Sequence, residues 1–284
     1  MIYVPILGAL ALAGGTIFQR VIIKKKRIGI KQYYSAEFLA IILITLPLIF
    51  FFWKMDPEAL ELRNLIIFSL IIVFSLIANY LVLYSAKWEK VTHLEPAKLT
   101  ESLFTVLLAV IFSFIFGAGL YERNLNVIIP AIIASLALVF SHIKKHHLDF
   151  NKYFVAALFG SFFFALELVL SRLILDSYSS LTFYFLRCLA IFIITFIAFK
   201  PNLGSLEGKL KIKILGIGAL WVIYRVIIYY GFVNLGVIYT TLSLMLSPLF
   251  IYFFAHKFLK ERLEWRNIIA AIVILASIIY ASVA

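Results

Sequence analysis

Ten long apolar runs follow one another along the chain, separated by short polar connections. A backbone surrounded by lipid must satisfy its own hydrogen bonds, so each run predicts a helix that crosses the membrane. Because 64% of the residues are hydrophobic and 14% are charged, a soluble globular fold is excluded. The runs cover approximately residues 3–23, 35–53, 64–85, 91–117, 127–141, 153–175, 181–199, 212–233, 237–256 and 267–282. The sequence therefore predicts an all-α integral membrane protein with ten transmembrane helices, a multi-pass protein of the cell membrane.

The loops differ sharply in their content of lysine and arginine. Loops after helices 1, 3, 5, 7 and 9 hold nearly all of these residues, beginning with Lys24-Lys25-Lys26-Arg27, whereas the alternate loops hold only Lys54, Arg63 and Arg123. The positive-inside rule then predicts that the basic loops face the cytoplasm and that both termini lie outside. The formal net charge is +12, but it is scattered over five loops. The expected partner is therefore a bilayer with anionic headgroups, and no nucleic acid.

Short sequence matches recur between the two halves of the chain in the same order. The matching segments are Leu39-Ala40-Ile41 with Leu189-Ala190-Ile191, Gly8 and Arg20 with Gly160 and Arg172, and Glu122-Arg123 with Glu261-Arg262. Their spacing predicts an internal duplication, with a five-helix repeat over residues 1–145, a connecting loop over 146–152 and a second repeat over 153–284. Because each repeat holds an odd number of helices, the second enters the membrane from the opposite face, which makes the repeats inverted.

The chain has ten predicted helices arranged as five plus five, with Arg187 early in helix 7, Pro248 in helix 9 and Glu261-Arg262 before helix 10. This pattern resembles the drug/metabolite transporter (DMT) superfamily, EamA type. The resemblance implies a secondary transporter that works by alternating access. Its implied cargo is a small metabolite, an amino acid or an amphipathic compound, moved in the direction of efflux. Members are commonly drawn with both termini inside, opposite to the loop charges. The first half departs from the pattern, since Glu37 stands at the place that matches Arg187.

Three ionisable side chains lie deep inside predicted helices, where insertion costs at least about 2.5 kcal/mol each. They are Glu167, Arg187 and Arg225, and counting about 1.5 Å per residue places them at similar depths. The short turn between helices 6 and 7 predicts that Glu167 pairs with Arg187. The excess positive charge then favours a carboxylate or phosphate group on the substrate, and Glu167 is a candidate proton site once Arg187 moves away. The alternative is a buried ion pair with a snorkelling arginine that only fixes helix register.

A second polar cluster lies on helix 4 of the first half. Glu95, Lys98 and Glu101 follow i, i+3 and i+6 spacing and share a face of the helix. Glu95 and Lys98 also fit a solvated helix end with an ordinary ion pair, whereas Glu101 lies deeper and is the second candidate proton-coupling group. Glu37 lies only about one turn into predicted helix 2, so snorkelling to the interface is its expected explanation.

Hydroxyl and aromatic side chains are the remaining candidates for substrate binding. Ser243 and Ser247 share a face of helix 9, and Pro248 breaks that helix at mid-depth by removing a backbone hydrogen bond. Trp221 and Tyr224 on helix 8 would form an aromatic wall for an amphipathic substrate. Ordinary packing between helices explains the hydroxyl side chains equally well, and core packing or an interfacial belt is the preferred interpretation of the aromatic ones.

Other function classes compete with transport. The main alternative is an enzyme that acts on a lipid-linked substrate, with Glu95, Glu101 and His93 as acid/base groups, and a third is a non-transporting membrane scaffold. The histidines after helix 5 lack a second spaced ligand pair, so no metal site is expected. No glycine-rich phosphate loop occurs in the sequence, and no cofactor is expected. The sequence therefore predicts a transporter, not an enzyme, that acts on a small-molecule substrate as a monomer or homodimer.

Overall fold

A computed structural model describes residues 4–24, 28–89, 91–117, 119–142, 151–251 and 265–283. Their regular structure is helical, apart from one isolated β-bridge between Met55 and Tyr178. The helices are α1 (Val4–Lys24), α2 (Ile30–Phe52), α3 (Leu62–Trp88), α4 (Val91–Phe116), α5 (Leu125–His142), α6 (Lys152–Arg172), α7 (Ser180–Phe199), α8 (Gly208–Asn234), α9 (Val237–Leu244) and α10 (Trp265–Val283). Most of the predicted connecting loop, at residues 146–150, and the Glu261-Arg262 turn lie outside the described residues.

Eight of these helices are long and apolar enough to cross a membrane, and two shorter apolar helices cover Leu125–Ser141 and Val237–Ile251. The outer surface carries large apolar side chains such as Phe50, Phe51 and Phe114, which are 75–82% exposed. Lipid tails accept such side chains, whereas a soluble protein rarely leaves so many in water. The prediction of an all-α, multi-pass integral membrane protein is confirmed. A count of ten spans goes further, because it includes the two shorter helices.

Side-chain caps fix where two helices of the second half begin. Asn151 Oδ1 accepts hydrogen bonds from the backbone N–H groups of Tyr153 (3.0 Å) and Phe154 (2.9 Å), and Ser179 Oγ accepts one from Thr182 (3.1 Å). These bonds satisfy donors that the first turn of a helix leaves without partners. They set the register of α6 and α7, the two helices that bring opposite charges together.

The helix that begins at Val237 is interrupted in mid-course. α9 ends at Leu244, residues 245–246 form a turn, and helical structure resumes at residue 247. Pro248 has no N–H to donate to the carbonyl of Leu244, and its ring crowds that carbonyl. The predicted break is therefore present, and it begins one turn before the proline.

Helices of the two halves pack against each other in matching pairs. α3 packs on α6 and α1 packs on α8, while α2 pairs with α7 and α5 pairs with α10. Glycines allow the closest approaches. A Cβ added at Gly160 of α6 would lie 2.7 Å from Cγ2 of Val82 in α3, and one at Gly8 of α1 would lie 2.9 Å from Cγ2 of Ile227 in α8. Both helix pairs are therefore too close for a larger residue unless a neighbour shifts.

Loops from both halves are joined on one face of the protein, which we call the opposite face. Its described residues are 53–61, 117, 119–124, 173–179 and 235–236. Asp56 donates its backbone N–H to the carbonyl of Ser177 (2.9 Å), and Ser179 donates its backbone N–H to the carbonyl of Lys54 (3.0 Å). Ser179 Oγ also donates to the carbonyl of Phe52 (2.6 Å). These bonds hold the end of α2 and the start of α7 together. The other face, which we call the basic face, is the one at which α1, α3, α5 and α7 end.

Candidate functional site

A cavity of about 210 Å³ lies between the two halves. Its charged lining side chains are Glu37 of α2, Lys98 and Glu101 of α4, Arg187 of α7 and Arg225 of α8. Aromatic and aliphatic side chains form most of the remaining wall. On α2 and α3 the lining residues come from the half of each helix nearest the basic face, whereas on α7 they come from the half nearest the opposite face, so the cavity lies near the middle of the helices.

Two arginines converge on one buried carboxylate at the wall of the cavity. Arg187 Nη1 donates to Oε1 of Glu167, and Arg225 Nη1 donates to Oε2 at 3.1 Å. The Tyr229 hydroxyl donates to Oε1 at 2.9 Å. Glu167 is fully buried, and the described lining residues include both arginines but not Glu167. This group, which we call the Glu167 centre, therefore presents an excess positive charge to the cavity, and the predicted pairing of Glu167 with Arg187 is present.

Aromatic rings hold both guanidinium groups in place. The distances to ring centroids are 5.2 Å and 5.8 Å from Arg187 to Tyr184 and Tyr229, and 5.4 Å and 5.6 Å from Arg225 to Phe164 and Tyr224. A cation within about 6 Å of a ring centroid is attracted by the ring face. Arg187 also contacts the hydroxyl of Ser75 at 3.3 Å. The alternative of a snorkelling Arg225 is wrong, because the residue is 7% exposed and its guanidinium group binds Glu167.

Glu37 is a buried cavity residue, whereas the sequence predicts that it snorkels from a helix end. It is 3% exposed. Its Oε1 accepts hydrogen bonds from Gln19 Nε2 (2.8 Å), the Tyr33 hydroxyl (3.1 Å) and Trp221 Nε1 (2.7 Å). The snorkelling prediction is wrong because α2 begins at Ile30, which places Glu37 about two turns inside the helix.

A stripe on α8 connects the two buried carboxylates. Trp221, Arg225 and Tyr229 follow i, i+4 and i+8 spacing, so they share one face of the helix. Trp221 binds Glu37, while Arg225 and Tyr229 bind Glu167. Trp221 and Arg225 are predicted from the sequence as substrate-binding residues. Tyr229 is not, although the same spacing would have identified it.

The predicted polar stripe of α4 faces the cavity. Its lining members are Lys98, Glu101, Ser102 and Thr105. The side chains of Glu95 and His93, which the enzyme alternative requires, lie outside the described residues. Glu101 therefore brings a second carboxylate into the cavity. Within the described part of the chain, no group of three or more His, Cys, Asp or Glu side chains is arranged to hold a metal ion.

Of the two candidate serines on the broken helix, one reaches the cavity. Ser247 lines it, and its Oγ is buried without a hydrogen-bond partner among the described residues. Ser243 instead donates to the carbonyl of Tyr239 at 3.1 Å and is not among the described lining residues. Trp221 and Tyr224 both line the cavity. A buried hydroxyl without a partner favours binding of a polar ligand group, because its desolvation is otherwise uncompensated.

A carboxylate of the first half caps a helix of the second half at the opposite face. Oε2 of Glu122 accepts a hydrogen bond from the N–H of Val237 (2.9 Å), and Oε1 accepts from Ile238 (2.9 Å) and Tyr239 (3.1 Å). A Cβ at Gly236 would overlap this carboxylate. Burial raises the pKa of the Glu122 carboxyl, and the three backbone N–H groups offset part of that rise. We call this contact the Glu122 latch.

Known proteins share the fold, and a known family shares the sequence of the second half. Among 27 chains of solved structure that match, one crystal structure of a protein superposes with a TM-score of 0.70 at 13% sequence identity, covering 99% of this chain and 97% of its own. At that identity the likeness shows the fold alone. No protein with a curated function matches the chain significantly. The model of the EamA-like transporter family matches residues 151–283. The second half of the chain therefore matches the EamA-like transporter family of the DMT superfamily.

Proposed function

We propose that the protein is a secondary transporter that moves a small metabolite, an amino acid or an amphipathic compound by alternating access, in the direction of efflux. The buried, charged cavity between the halves is the observation that carries this proposal, because ionisable groups at membrane depth mark the paths of substrates and ions. The match of residues 151–283 to the EamA-like transporter family supports the transporter class. The cargo classes and the direction follow from the resemblance alone.

The transporter would consist of ten spans in two inverted five-helix repeats, residues 1–145 and 153–284. Helix packing supports this arrangement, because exchanging the halves turns the α1–α8 pair into the α6–α3 pair and leaves the α2–α7 and α5–α10 pairs unchanged. Gly8 and Gly160, which match in sequence, lie at the two equivalent contacts. A symmetric set of contacts is what an inverted duplication predicts.

Alternating access requires one face to be closed while the cavity is open to the other. Bonds between the halves tie the opposite face together through the Glu122 latch and through the Tyr121 hydroxyl, which donates to the carbonyl of Val169 at 2.7 Å. A bond between the halves also occurs at the basic face, where Gln32 Nε2 donates to the carbonyl of Asn202 at 2.6 Å. Efflux would require this face, which the loop charges predict to be cytoplasmic, to open for loading.

The proposed cargo would be held by charge at one end and by aromatic rings along its body. The substrate-binding residues would be Arg187, Arg225, Glu167, Tyr224, Trp221, Ser243 and Ser247. The excess positive charge of the Glu167 centre favours a carboxylate or phosphate group, and the aromatic wall favours an apolar portion. Ser243 would contribute only after α9 rearranges, because its hydroxyl is bonded to a carbonyl of its own helix.

A proton is the proposed coupling ion, with Glu167 and Glu101 as the candidate carriers. Glu101 lines the cavity directly, whereas Glu167 would become available only after Arg187 swings away from it. Anionic headgroups would contact the basic face, and the working unit would be a monomer or a homodimer.

Efflux from proteoliposomes tests this function. Vesicles would be loaded with a defined mixture of amino acids, organic acids and amphipathic dyes, and efflux followed by mass spectrometry and fluorescence. We expect protein-dependent efflux of at least one class, slowed at least about tenfold by Arg225→Gln, because losing one charge-assisted bond weakens binding by more than about 1.4 kcal/mol. The matched control is Arg63→Gln, at an exposed arginine. Absence of efflux together with product formation from a lipid-linked substrate in detergent would support the enzyme alternative.

The Glu122 latch predicts how the closed face responds to pH. Burial raises the pKa of Glu122 in the closed state, and exposure to water in an open state would return it to the ordinary value of 4.5. The closed state then binds the proton more tightly, so acidification between the two pKa values favours closure. In a Cys188→Ser background, Thr241→Cys should react more slowly with an impermeant maleimide added at the opposite face as pH falls through this window. The change is about tenfold for each pH unit by which the two pKa values differ.

Two controls separate closure from thiol chemistry. Asn124→Cys, at an exposed position of the same face, gives the intrinsic pH dependence of the reagent, against which the other rates are normalised. Glu122→Gln should make the normalised rate independent of pH. A normalised rate that rises with acidification in the latch-intact protein would show the sign to be wrong.

A further inference from the structure

The carboxyl group of Glu37 divides its two oxygens between the protein and the cavity. All three of its hydrogen bonds, from Gln19, Tyr33 and Trp221, end on Oε1. None of the described residues donates to Oε2. Because the residue is 97% buried and lines the cavity, Oε2 is left for whatever the cavity contains.

The partners of Glu37 differ in charge from those of Glu167. Two guanidinium groups compensate the charge of Glu167, whereas Glu37 is held by an amide, a phenol and an indole, all of which are neutral. In the described part of the chain no ion pair involves Glu37. A buried carboxylate that is not paired with a cation is costly, so a proton or a cation that enters the cavity would stabilise Glu37 by compensating its negative charge.

We propose that Glu37 is the proton-binding site of the cavity, where Oε2 takes a proton from cavity water while Oε1 keeps its three donors. One O–H bond forms, and the hydroxide left behind is neutralised by bulk solvent at whichever face the cavity is open to. The proposal rests on the proposed transporter function and deepens it, because it assigns the coupling proton to a residue other than Glu167 and Glu101.

Several titratable or charged groups are bonded to Glu37 or line the cavity together with it. They are Tyr33 on its own helix, Lys98 and Glu101 on α4, Tyr184 and Arg187 on α7, and Tyr224 and Arg225 on α8. The cavity-lining side chains contributed by α1 and α3, among them Gln19 and Asn79, are uncharged. Glu101 is the one other carboxylate among the described lining residues, so it is the group from which a titration of Glu37 has to be distinguished.

The position of Glu37 links a bound proton to the Glu167 centre. Its donors come from both halves, since Gln19 and Tyr33 precede residue 145 and Trp221 lies on α8. Trp221 and Arg225 are one helical turn apart on the same face. Neutralising Glu37 would therefore change the charge at one end of the helix face that also carries Arg225, whose guanidinium group is bound to Glu167.

Trp221 supplies an optical test that needs no substrate. The sequence has four tryptophans, and replacing Trp53, Trp88 and Trp265 with phenylalanine leaves Trp221, whose indole N–H is bonded to Glu37. Its emission would be recorded in nanodiscs between about pH 4 and about pH 9. We expect one transition in this parent protein, its loss in Glu37→Gln, and its retention in Glu101→Gln. Glu37→Asp should restore a transition at a different pH.

Each alternative result overturns the assignment. Three results would show that Glu37 does not bind the proton. They are a parent protein without a transition, a transition that survives in Glu37→Gln, and a transition that disappears in Glu101→Gln. If Glu37→Gln does not give a monodisperse protein, infrared spectroscopy provides the test instead. The carbonyl band of the protonated carboxyl would be compared between the parent protein and Glu37→Asp. A band that does not shift overturns the proposal.

Transport measurements keep this proposal separate from the proposed function. In proteoliposomes, Glu37→Gln should lose the acceleration of efflux by a pH gradient but retain exchange of cargo between the two sides. A titration that depends on Glu37 without any efflux would contradict the transporter function and leave the proton site standing. Gradient-driven efflux that is unchanged in Glu37→Gln would overturn the coupling role of Glu37 and leave the transporter function standing.

Discussion

Glu167→Gln should lower the free energy of unfolding by about 3–5 kcal/mol, the range expected when one partner of a buried ion pair is removed. Arg187 is 2% exposed and Arg225 is 7% exposed, so both guanidinium groups are largely withdrawn from water while the helices stay packed. A glutamine accepts through its one oxygen, but its amide nitrogen would point a donor at an arginine. The effect would be measured as the loss of monodisperse protein on heating in detergent, followed by fluorescence-detected gel filtration.

A second substitution tests whether charge is the cause. Glu167→Gln combined with Arg187→Gln restores the net charge of the centre, and we expect this pair to recover at least about half of the lost stability. Glu61→Gln, at an exposed carboxylate, should change stability by less than about 0.5 kcal/mol. If the double variant is as unstable as the sum of its single variants, the centre is not held together by charge compensation.

Gly236→Ala should open the opposite face. Gly236 has φ 92° and ψ 163°, a region that is essentially restricted to glycine and costs other residues about 1–3 kcal/mol. Its new Cβ would also displace the carboxylate of Glu122 and so remove bonds to charge that are worth about 1.5–3 kcal/mol each. Together these terms exceed about 3 kcal/mol, so we expect maleimide labelling of Thr241→Cys from the opposite face to rise at least about a hundredfold.

Gly117 provides a matched control for the backbone term. It has φ 94°, but an added Cβ there would meet nothing within 4 Å. Gly117→Ala therefore carries the strain without touching the latch, and Glu122→Ala removes the latch without the strain. We expect Glu122→Ala to reproduce most of the Gly236→Ala effect and Gly117→Ala to reproduce little of it. Equal effects in the two glycine variants would mean that the latch contributes nothing to closure.

The fold was largely predictable because lipid leaves a chain few choices. A long apolar run in a bilayer has to be helical, and residues such as Phe50 and Phe114, which would be anomalous in water, indicated the environment directly. The pairing of Glu167 with Arg187 was also predictable, since both lie at a depth where an isolated charge is costly and a short turn joins their helices.

Two features of the site could not be predicted from the sequence, for different physical reasons. The burial of Glu37 depends on where α2 begins, and the first turn of that helix contains Lys31 and Gln32, which hydropathy assigns to a loop. Glu122 binds backbone N–H groups that begin 115 positions later in the chain, and backbone donors carry no signature in the sequence. The positive φ of Gly236 was likewise invisible, although a glycine before a helix was compatible with it.

The charges around the cavity also determine how membrane voltage acts on the protein. Among the described side chains, Glu37, Glu101 and Glu167 carry negative charge and Lys98, Arg187 and Arg225 carry positive charge, so the ionised set sums to zero. A potential of 100 mV does about 2.3 kcal/mol of work on one elementary charge that crosses the membrane. An empty, fully ionised cavity that reorients between the two faces would therefore be nearly indifferent to voltage. Each proton bound to a carboxylate would add one positive charge and make that reorientation electrogenic.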